Sequence, residues 1–315
     1  LDAQVLHLNP LPALENPAAT IRFALENPIQ SAPLSQIARG KSSACIVISD
    51  VTRPVPNEKI LAPMLEILHE SGISREGITI LNATGLHRPN VGAELEEMIG
   101  RRIAREYRVE NHVAKNLDEM TDLGEIEFLD GRRATAAINS HYANAQLKIT
   151  TGLIEPHFMA GYSGGRKLIC PGIASAPTIL QFHSPPMIGD PNARAGNLVE
   201  NPIHAMSRAV AKKVGCDFIC NVTLSETREI TGVFAGDMEA AHLAGIAHVD
   251  KQTKVPVKPA PIVVTTSAGY PLDTTFYQCI KGMVGALPAL EKGGTLVIAA
   301  SLSEGIGGEE FTQMC

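Results

Sequence analysis

Residues 44–82 read ACIVISDVTRPVPNEKILAPMLEILHESGISREGITILN, which is a strand-like run, a helix-like run and a second strand-like run. Ala44–Ser49 and Gly77–Asn82 are short and rich in β-branched residues. Between them, apolar residues recur every three or four positions from Asn57 to Ser71, and Asn57 is a residue type suited to cap the helix. The pattern predicts a βαβ unit, from which parallel sheets are built.

The same alternation continues along the chain. Further strands are predicted at Tyr107–Val113, Gln146–Thr150, Phe218–Val222, Ile262–Thr266 and Thr295–Ala300. Further helices are predicted at Val91–Ile99, Ala176–His183, Pro202–Val214, Met238–His248 and Thr275–Lys281. We therefore expect an α/β fold with a mostly parallel sheet and helices on both faces, followed by a second, smaller α/β domain.

A polar, Lys-rich and Pro-rich stretch near residue 250, DKQTKVPVKPAP, is the best candidate for a linker. It predicts one domain over residues 1–250, a linker over 251–261 and a second domain from 262 to 315. The last residues, GGEEFTQMC, begin a helix that does not continue, so we expect the second domain to be incomplete here.

Composition argues against several classes of protein. With 44% hydrophobic residues in 315, the chain is not disordered, and a formal net charge of −6 disfavours nucleic-acid binding. Its apolar runs are far shorter than the roughly 20 residues of a membrane span. The six Cys are scattered without a second metal-spaced pair, which is typical of a reduced, cytoplasmic protein.

Unusual polar residues follow the predicted strands. Asp50 and Arg53 follow the first strand, His87 follows the second, His157 follows the strand near residue 150, and Asp273 follows the strand near 265. Each turn alone would be ordinary. Because the carboxyl ends of parallel strands share one edge of a sheet, however, the four together predict a common pocket.

The densest motif is EPHFMAGYSGGRK, residues 155–167. Ser163, Gly164 and Gly165 form a loop of the kind that holds an anion, although it does not match a Walker A motif. Lys167, which is followed by apolar residues, is either a desolvated nucleophile or cofactor anchor, or an ordinary surface lysine. His183, at the end of a predicted helix, is either a partner of the helix dipole or a ligand.

These residues favour one chemistry before any relationship is considered. Two histidines on strand ends can act as bases on opposite sides of a chiral centre, and Arg53 can bind a small carboxylate bidentately. The arrangement indicates a racemase or epimerase of a carboxylic acid.

Five motifs carry a resemblance to a known family. DVTRP, ATGLHR, EPHFMAGYSGGRK, QFH and GYPLD-x3-YQ-x2-K, in this order, resemble the lactate racemase family that uses the nickel-pincer nucleotide. The resemblance runs from about Cys45 to Lys281. It implies an isomerase that acts on lactate or another small 2-hydroxy acid by proton-coupled hydride transfer, together with separate enzymes that make the cofactor.

The resemblance also implies a role for each matching residue. Lys167 would anchor the cofactor covalently, His183 would bind nickel, and His87 and His157 would be the paired acid/base residues. The positions implied for substrate binding are Asp50, Arg53, Tyr277, Gln278 and Lys281, and those implied for the cofactor phosphate are Ser163, Gly164 and Gly165.

Two other functions remain open from the residues alone. One is a non-catalytic protein that binds a nucleotide or anion on the glycine loop. The other is a pyridoxal-phosphate racemase in which Lys167 forms the Schiff base.

Overall fold

The computed structural model describes residues 3–270 and 272–314. Leu1, Asp2, Pro271 and Cys315 lie outside the described residues, and Pro271 is part of the GYPLD motif. The strands are β1 Ala44–Ser49, β2 Ile78–Ala83, β3 Arg108–Asn111, β4 Met120–Glu127, β5 Arg133–Asn139, β6 Leu147–Leu153, β7 Pro156–His157, β8 Gly161–Tyr162, β9 Phe218–Leu224, β10 Ile230–Gly236, β11 Ala260–Thr266 and β12 Leu290–Ala299.

Twelve helices are described over the same residues. They are α1 Pro17–Glu26, α2 Leu34–Ala38, α3 Asn57–Glu70, α4 Gly92–Ile99, α5 Arg101–Glu106, α6 Ser140–Ala143, α7 Ala176–Phe182, α8 Pro185–Ile188, α9 Pro202–Val214, α10 Ala240–Thr253, α11 Phe276–Ala286 and α12 Glu309–Met314. None of these described helices has both the length and the hydropathy needed to cross a membrane.

The main sheet has six strands in the order β10-β9-β6-β1-β2-β3. Five of them are parallel, and β10 joins β9 in the antiparallel direction. Every residue of β1 is buried. Cys45 and Val47 enter one hydrophobic core while Ile46 and Ile48 enter another, so helices cover both faces. The predicted α/β fold with a mostly parallel sheet is confirmed.

The start of α3 differs from the prediction. Asn57 is the first residue of the helix, and Pro56 occupies the cap position, so the prediction that Asn57 caps the helix is wrong. The Asn57 side-chain amide donates instead to the Ser49 carbonyl over 3.3 Å. The side chain therefore ties the helix to the end of the strand.

Two antiparallel features were not predicted. One is the β4–β5 hairpin, and the other is the edge strand β10. Both carry glycines or charged residues that weaken the alternation of apolar and polar positions.

The end of β10 requires a glycine. At Gly236 the φ angle is +129°, and a Cβ would lie 2.3 Å from the Ile29 carbonyl oxygen.

The chain forms two compact units. The larger one comprises Pro10–Val51 and Val55–Lys251 and contains the six-stranded sheet. The smaller one comprises the described parts of Gln252–Cys315 and Leu1–Asn9, together with Thr52–Pro54, and contains the parallel pair β11–β12 with α11 and α12. The domain limits at residues 250 and 262 stay a prediction.

Removal of a core side chain tests the packing of α3 on the sheet. Leu61→Ala deletes three carbons from a fully buried side chain, and we expect a loss of about 2–5 kcal/mol in the free energy of unfolding. Leu243→Ala in α10, where the leucine is 54% exposed, is the matched control and should change stability by less than about 0.5 kcal/mol. Urea unfolding followed by circular dichroism measures both, and equal losses would contradict this assignment of the core.

Candidate active site

Three neighbouring strands position the predicted histidines. β1 lies between β2 and β6 and is parallel to both. Asp50 follows β1 directly, His87 lies in the turn after β2, and His157 lies just after β6. Since the carboxyl ends of parallel strands face one edge of the sheet, these residues follow strands that end along the same edge.

Asp50 orients His87. The Asp50 Oδ2 atom is 2.6 Å from His87 Nδ1, the distance of a charge-assisted hydrogen bond. The Asp50 side chain is buried, whereas the His87 side chain is about one-third exposed. The contact fixes the orientation of the ring through its Nδ1 edge.

A network of three asparagines, not predicted from the sequence, holds the turn that carries His87. Asn82 Nδ2 donates to Asn90 Oδ1 over 2.9 Å and to Asn111 Oδ1 over 2.8 Å. Asn111 Nδ2 in turn donates to the Asn90 carbonyl, and Asn90 Oδ1 accepts the Val51 N–H next to Asp50. The amides thus link the ends of β1, β2 and β3.

His157 lies in the tight β7–β8 hairpin and is buried. Its Nδ1 accepts the backbone N–H groups of Met159 and Ala160, at 3.4 and 3.3 Å. Its ring stacks on Phe158, with the ring centroids 4.9 Å apart. Main-chain contacts therefore orient this ring, in contrast to the carboxylate that orients His87.

The glycine loop is packed tightly against the protein. Gly164 has φ +75°, and a Cβ there would lie 2.9 Å from the side chain of Ile154. The N–H of Ser163 donates to the Glu155 carbonyl, and that of Gly165 donates to Asn221 Oδ1. These two N–H groups are therefore engaged by the protein itself, and the predicted phosphate contact of Ser163, Gly164 and Gly165 stays a prediction.

A buried guanidinium supports the glycine loop. Arg166 is 2% exposed; its Nη2 donates to the Ala160 carbonyl over 2.9 Å, and its Nη1 lies 3.1 Å from His242 Nε2. His242 Nε2 is also 2.8 Å from the Ser163 carbonyl. Burial lowers the pKa of Arg166 to about 9. No described carboxylate pairs with Arg166, and no sequence motif pointed to His242.

Lys167 and His183 are neighbours in space. Lys167 is half-buried in the 3-10 helix Gly165–Leu168, and His183 follows the last residue of α7. Burial and the nearby Lys167 charge lower the pKa of His183 to about 4, and His87 contributes in the same direction. His183 is therefore a neutral imidazole near pH 7, within electrostatic range of both Lys167 and His87.

The hydrogen bond of His183 leaves one nitrogen for a metal. Its Nδ1 lies 3.1 Å from the Ile179 carbonyl oxygen, which only accepts, so Nδ1 carries the proton and Nε2 carries a lone pair. A neutral imidazole whose other N–H is bound by a carbonyl is the usual form of a histidine metal ligand. Over residues 3–270 and 272–314, no three His, Cys, Asp or Glu side chains form a metal-binding group.

Four other predicted residues belong to the smaller unit. Arg53 is close enough to Tyr277 for its charge to oppose the rise in the pKa of Tyr277 that burial causes. Lys281 Nζ donates to Gln278 Oε1. Tyr277, Gln278 and Lys281 lie within the first two turns of α11, which Thr275 caps. Their roles in substrate binding stay a prediction.

The fold and these side chains define an α/β protein with acid/base and ligand residues along the carboxyl edge of a parallel sheet. The sequence model described as "Lactate racemase N-terminal domain" matches residues 1–196, and that described as "Lactate racemase C-terminal domain" matches residues 255–315. The chain belongs to the lactate racemase family, whose named members are isomerases.

Curated relatives agree with this assignment. The lactate racemase of Lactiplantibacillus plantarum is 41% identical over 292 residues, which cover 93% of this chain and 68% of that protein. The lactate racemase of Thermoanaerobacterium thermosaccharolyticum is 40% identical over 291 residues, which cover 92% of this chain and 67% of that protein. The family and the isomerase class predicted from the motifs are confirmed.

Two solved structures share the fold. The lactate racemase apoprotein from Thermoanaerobacterium thermosaccharolyticum superposes with a TM-score of 0.88 at 38% identity, covering 96% of this chain and 72% of that one. A Thermotoga maritima protein gives a TM-score of 0.68 at 19% identity, covering 85% of this chain and 67% of that one, which shows a shared fold alone.

A paired substitution tests the tight packing of the glycine loop. Gly164→Ala and Gly40→Ala both place a side chain at φ near +75°, but only the first brings it against other atoms. We expect Gly164→Ala to lower the free energy of unfolding by about 1–3 kcal/mol more than Gly40→Ala, because of this overpacking. Urea unfolding measures the difference. Equal losses for the two variants would show that the loop accommodates the added methyl group and does not depend on a glycine at 164.

Proposed function

We propose that this chain racemises a small 2-hydroxy acid, lactate or a close relative, using a nickel-pincer nucleotide held by Lys167 and His183. The observation that carries the proposal is that Lys167 and His87 both lie within electrostatic range of His183. In support, Nε2 of His183 carries a lone pair, Lys167 is half-buried, and a buried carboxylate orients His87.

The donor set fits such a cofactor. One imidazole is too few ligands for nickel, since metal sites in proteins need three or more donors. Among the described residues no three His, Cys, Asp or Glu side chains form a metal-binding group, and in this proposal the cofactor itself supplies the other donors. When bound, the cofactor supplies the site that takes up and returns the hydride of the substrate. Lys167 would attach it covalently, and His183 would offer Nε2 to the metal.

The two active-site histidines would move the hydroxyl proton. His87 Nε2 would accept it, and the Asp50 carboxylate would stabilise the resulting imidazolium. His157, which follows the strand on the other side of β1, would serve the opposite face of the flat 2-keto acid. A base for each face is what racemisation requires.

Residues of the smaller unit would bind the substrate. A planar guanidinium at Arg53 suits bidentate recognition of a carboxylate, and Tyr277, Gln278 and Lys281 add three further polar groups on one helix. We also propose that separate enzymes make the cofactor and that the protein is cytoplasmic. The latter is supported by Cys45, Cys170, Cys216, Cys220 and Cys279, which are all free thiols.

The covalent adduct and the nickel that the protein carries after co-production test the cofactor assignment. When Lys167→Ala is produced together with the cofactor-synthesising enzymes, we expect no covalent adduct and almost no nickel, because the tether brings the other metal donors. His183→Ala should keep the adduct mass but hold nickel poorly. Lys59→Ala, at an exposed lysine of α3, is the control and should match the unaltered protein. Intact mass and elemental analysis report both quantities.

The opposite pattern would reject the assignment. Full nickel in Lys167→Ala would mean that protein side chains hold the metal. An adduct with the mass of pyridoxal phosphate would instead identify a Schiff-base racemase.

Substitution of the bases tests the chemistry. His87→Ala and His157→Ala should each lower the rate of racemisation in the loaded protein by at least about 10²-fold, since each removes one acid/base group. Any residual reaction should favour one enantiomer, because only one face loses its base. Chiral chromatography measures this, with exposed His7→Ala as the control. Equal residual rates from both enantiomers would contradict a base on each face.

A further inference from the structure

The two histidines at the carboxyl edge are held by chemically opposite partners. We propose that His87 and His157 are locked in opposite neutral tautomers, with the proton of His87 on Nδ1 and that of His157 on Nε2. Their roles as acid and base rest on the proposed function, whereas the tautomers are inferred from the hydrogen bonds at each Nδ1.

The tautomer of His87 follows from Asp50. The ordinary pKa of an aspartic acid lies about 2.6 units below that of an imidazole, so in the pair the proton resides on nitrogen. Asp50 Oδ2 therefore accepts from Nδ1–H over 2.6 Å. In the neutral ring, Nε2 then carries a lone pair and acts as a proton acceptor.

The tautomer of His157 follows from two backbone donors. Nδ1 lies 3.3 Å from the Ala160 nitrogen and 3.4 Å from the Met159 nitrogen, and both groups are N–H donors without a lone pair to offer. A proton on Nδ1 would be directed at both N–H groups and could form a hydrogen bond with neither. The neutral ring therefore keeps its lone pair at Nδ1 and its proton at Nε2, where it acts as a hydrogen-bond donor.

Buried side chains hold the peptide that sets this tautomer. The Ala160 N–H belongs to the same peptide unit as the Met159 carbonyl, which accepts from Asn201 Nδ2 over 2.9 Å. The next carbonyl, that of Ala160, accepts from Arg166 Nη2 over 2.9 Å. Asn201 is fully buried and Arg166 nearly so. Both are positioning residues that act on His157 through the main chain.

The opposite tautomers give the two faces different starting states. A hydroxyl presented to His87 meets a base that can take its proton at once. A hydroxyl presented to His157 meets an N–H donor. Before Nε2 can act as a base, it must release its proton to water, and Nδ1 must take up a proton from water against the two backbone N–H groups that face it. The unliganded protein is thus set for the enantiomer whose hydroxyl faces His87.

Nitrogen NMR of the full chain tests the proposal directly. With ¹⁵N in the imidazole rings, long-range ¹H–¹⁵N correlations distinguish the two neutral tautomers, and His87→Gln and His157→Gln assign the signals. We expect the Nδ1–H pattern for His87 and the Nε2–H pattern for His157, with and without the cofactor. The same tautomer at both rings would overturn the proposal.

Two variants test separately what sets the tautomer of His87 and what sets the tautomer of His157. Asp50→Asn can present its NH₂ group to Nδ1, so His87 should change to the Nε2–H pattern while His157 stays unchanged. Asn201→Ser keeps a side chain that can cap α9 but removes the amide donor to Met159, so His157 should become a mixture of tautomers while His87 stays unchanged. An unaltered His157 spectrum in Asn201→Ser would overturn the role of this peptide.

The spectra are independent of catalysis. A protein that shows opposite tautomers but racemises no 2-hydroxy acid would refute the proposed function and leave this inference standing. A protein that racemises lactate but shows the same tautomer at both rings would support the proposed function and refute this inference.

Discussion

The parallel pairing of β1 with both β2 and β6 is the constraint on which the rest of the site depends. It is fixed by register, with Ala44 opposite Ile78 on one side and Leu147 on the other, and by burial of every β1 residue. Because a slip of one residue would turn each buried side chain to the wrong face, the register is strongly specified. The turns after these three strands carry both histidines to the same edge.

Burial then decides what each group at that edge can do. Burial keeps the His183 imidazole neutral, which is the form that can bind a metal. The guanidinium of Arg166 is also buried, and no described carboxylate pairs with it. Arg166 and Lys167 put two cationic groups on a single 3-10 turn in a chain of net negative charge.

The sequence predicted the elements well where apolar spacing was regular. The bounds of β1 and α9 were predicted correctly, and the strand ends pointed to Asp50, His87 and His157. The sequence could not reveal the supporting contacts, because these join polar residues far apart in the chain. Asn82 and Asn111 are 29 positions apart, and Arg166 and His242 are 76 apart. The hairpin β4–β5 was missed because its alternation is weak.

The interconversion of lactate enantiomers by loaded protein is the decisive measurement for the proposed racemase activity. Protein whose intact mass shows an adduct on Lys167 and whose nickel content is stoichiometric would be incubated separately with pure L-lactate and pure D-lactate. Chiral chromatography should then show both samples converging on equal amounts of the two enantiomers. If fully loaded protein left both lactate enantiomers and close 2-hydroxy acid relatives unchanged, the account of this site as a racemase would be contradicted.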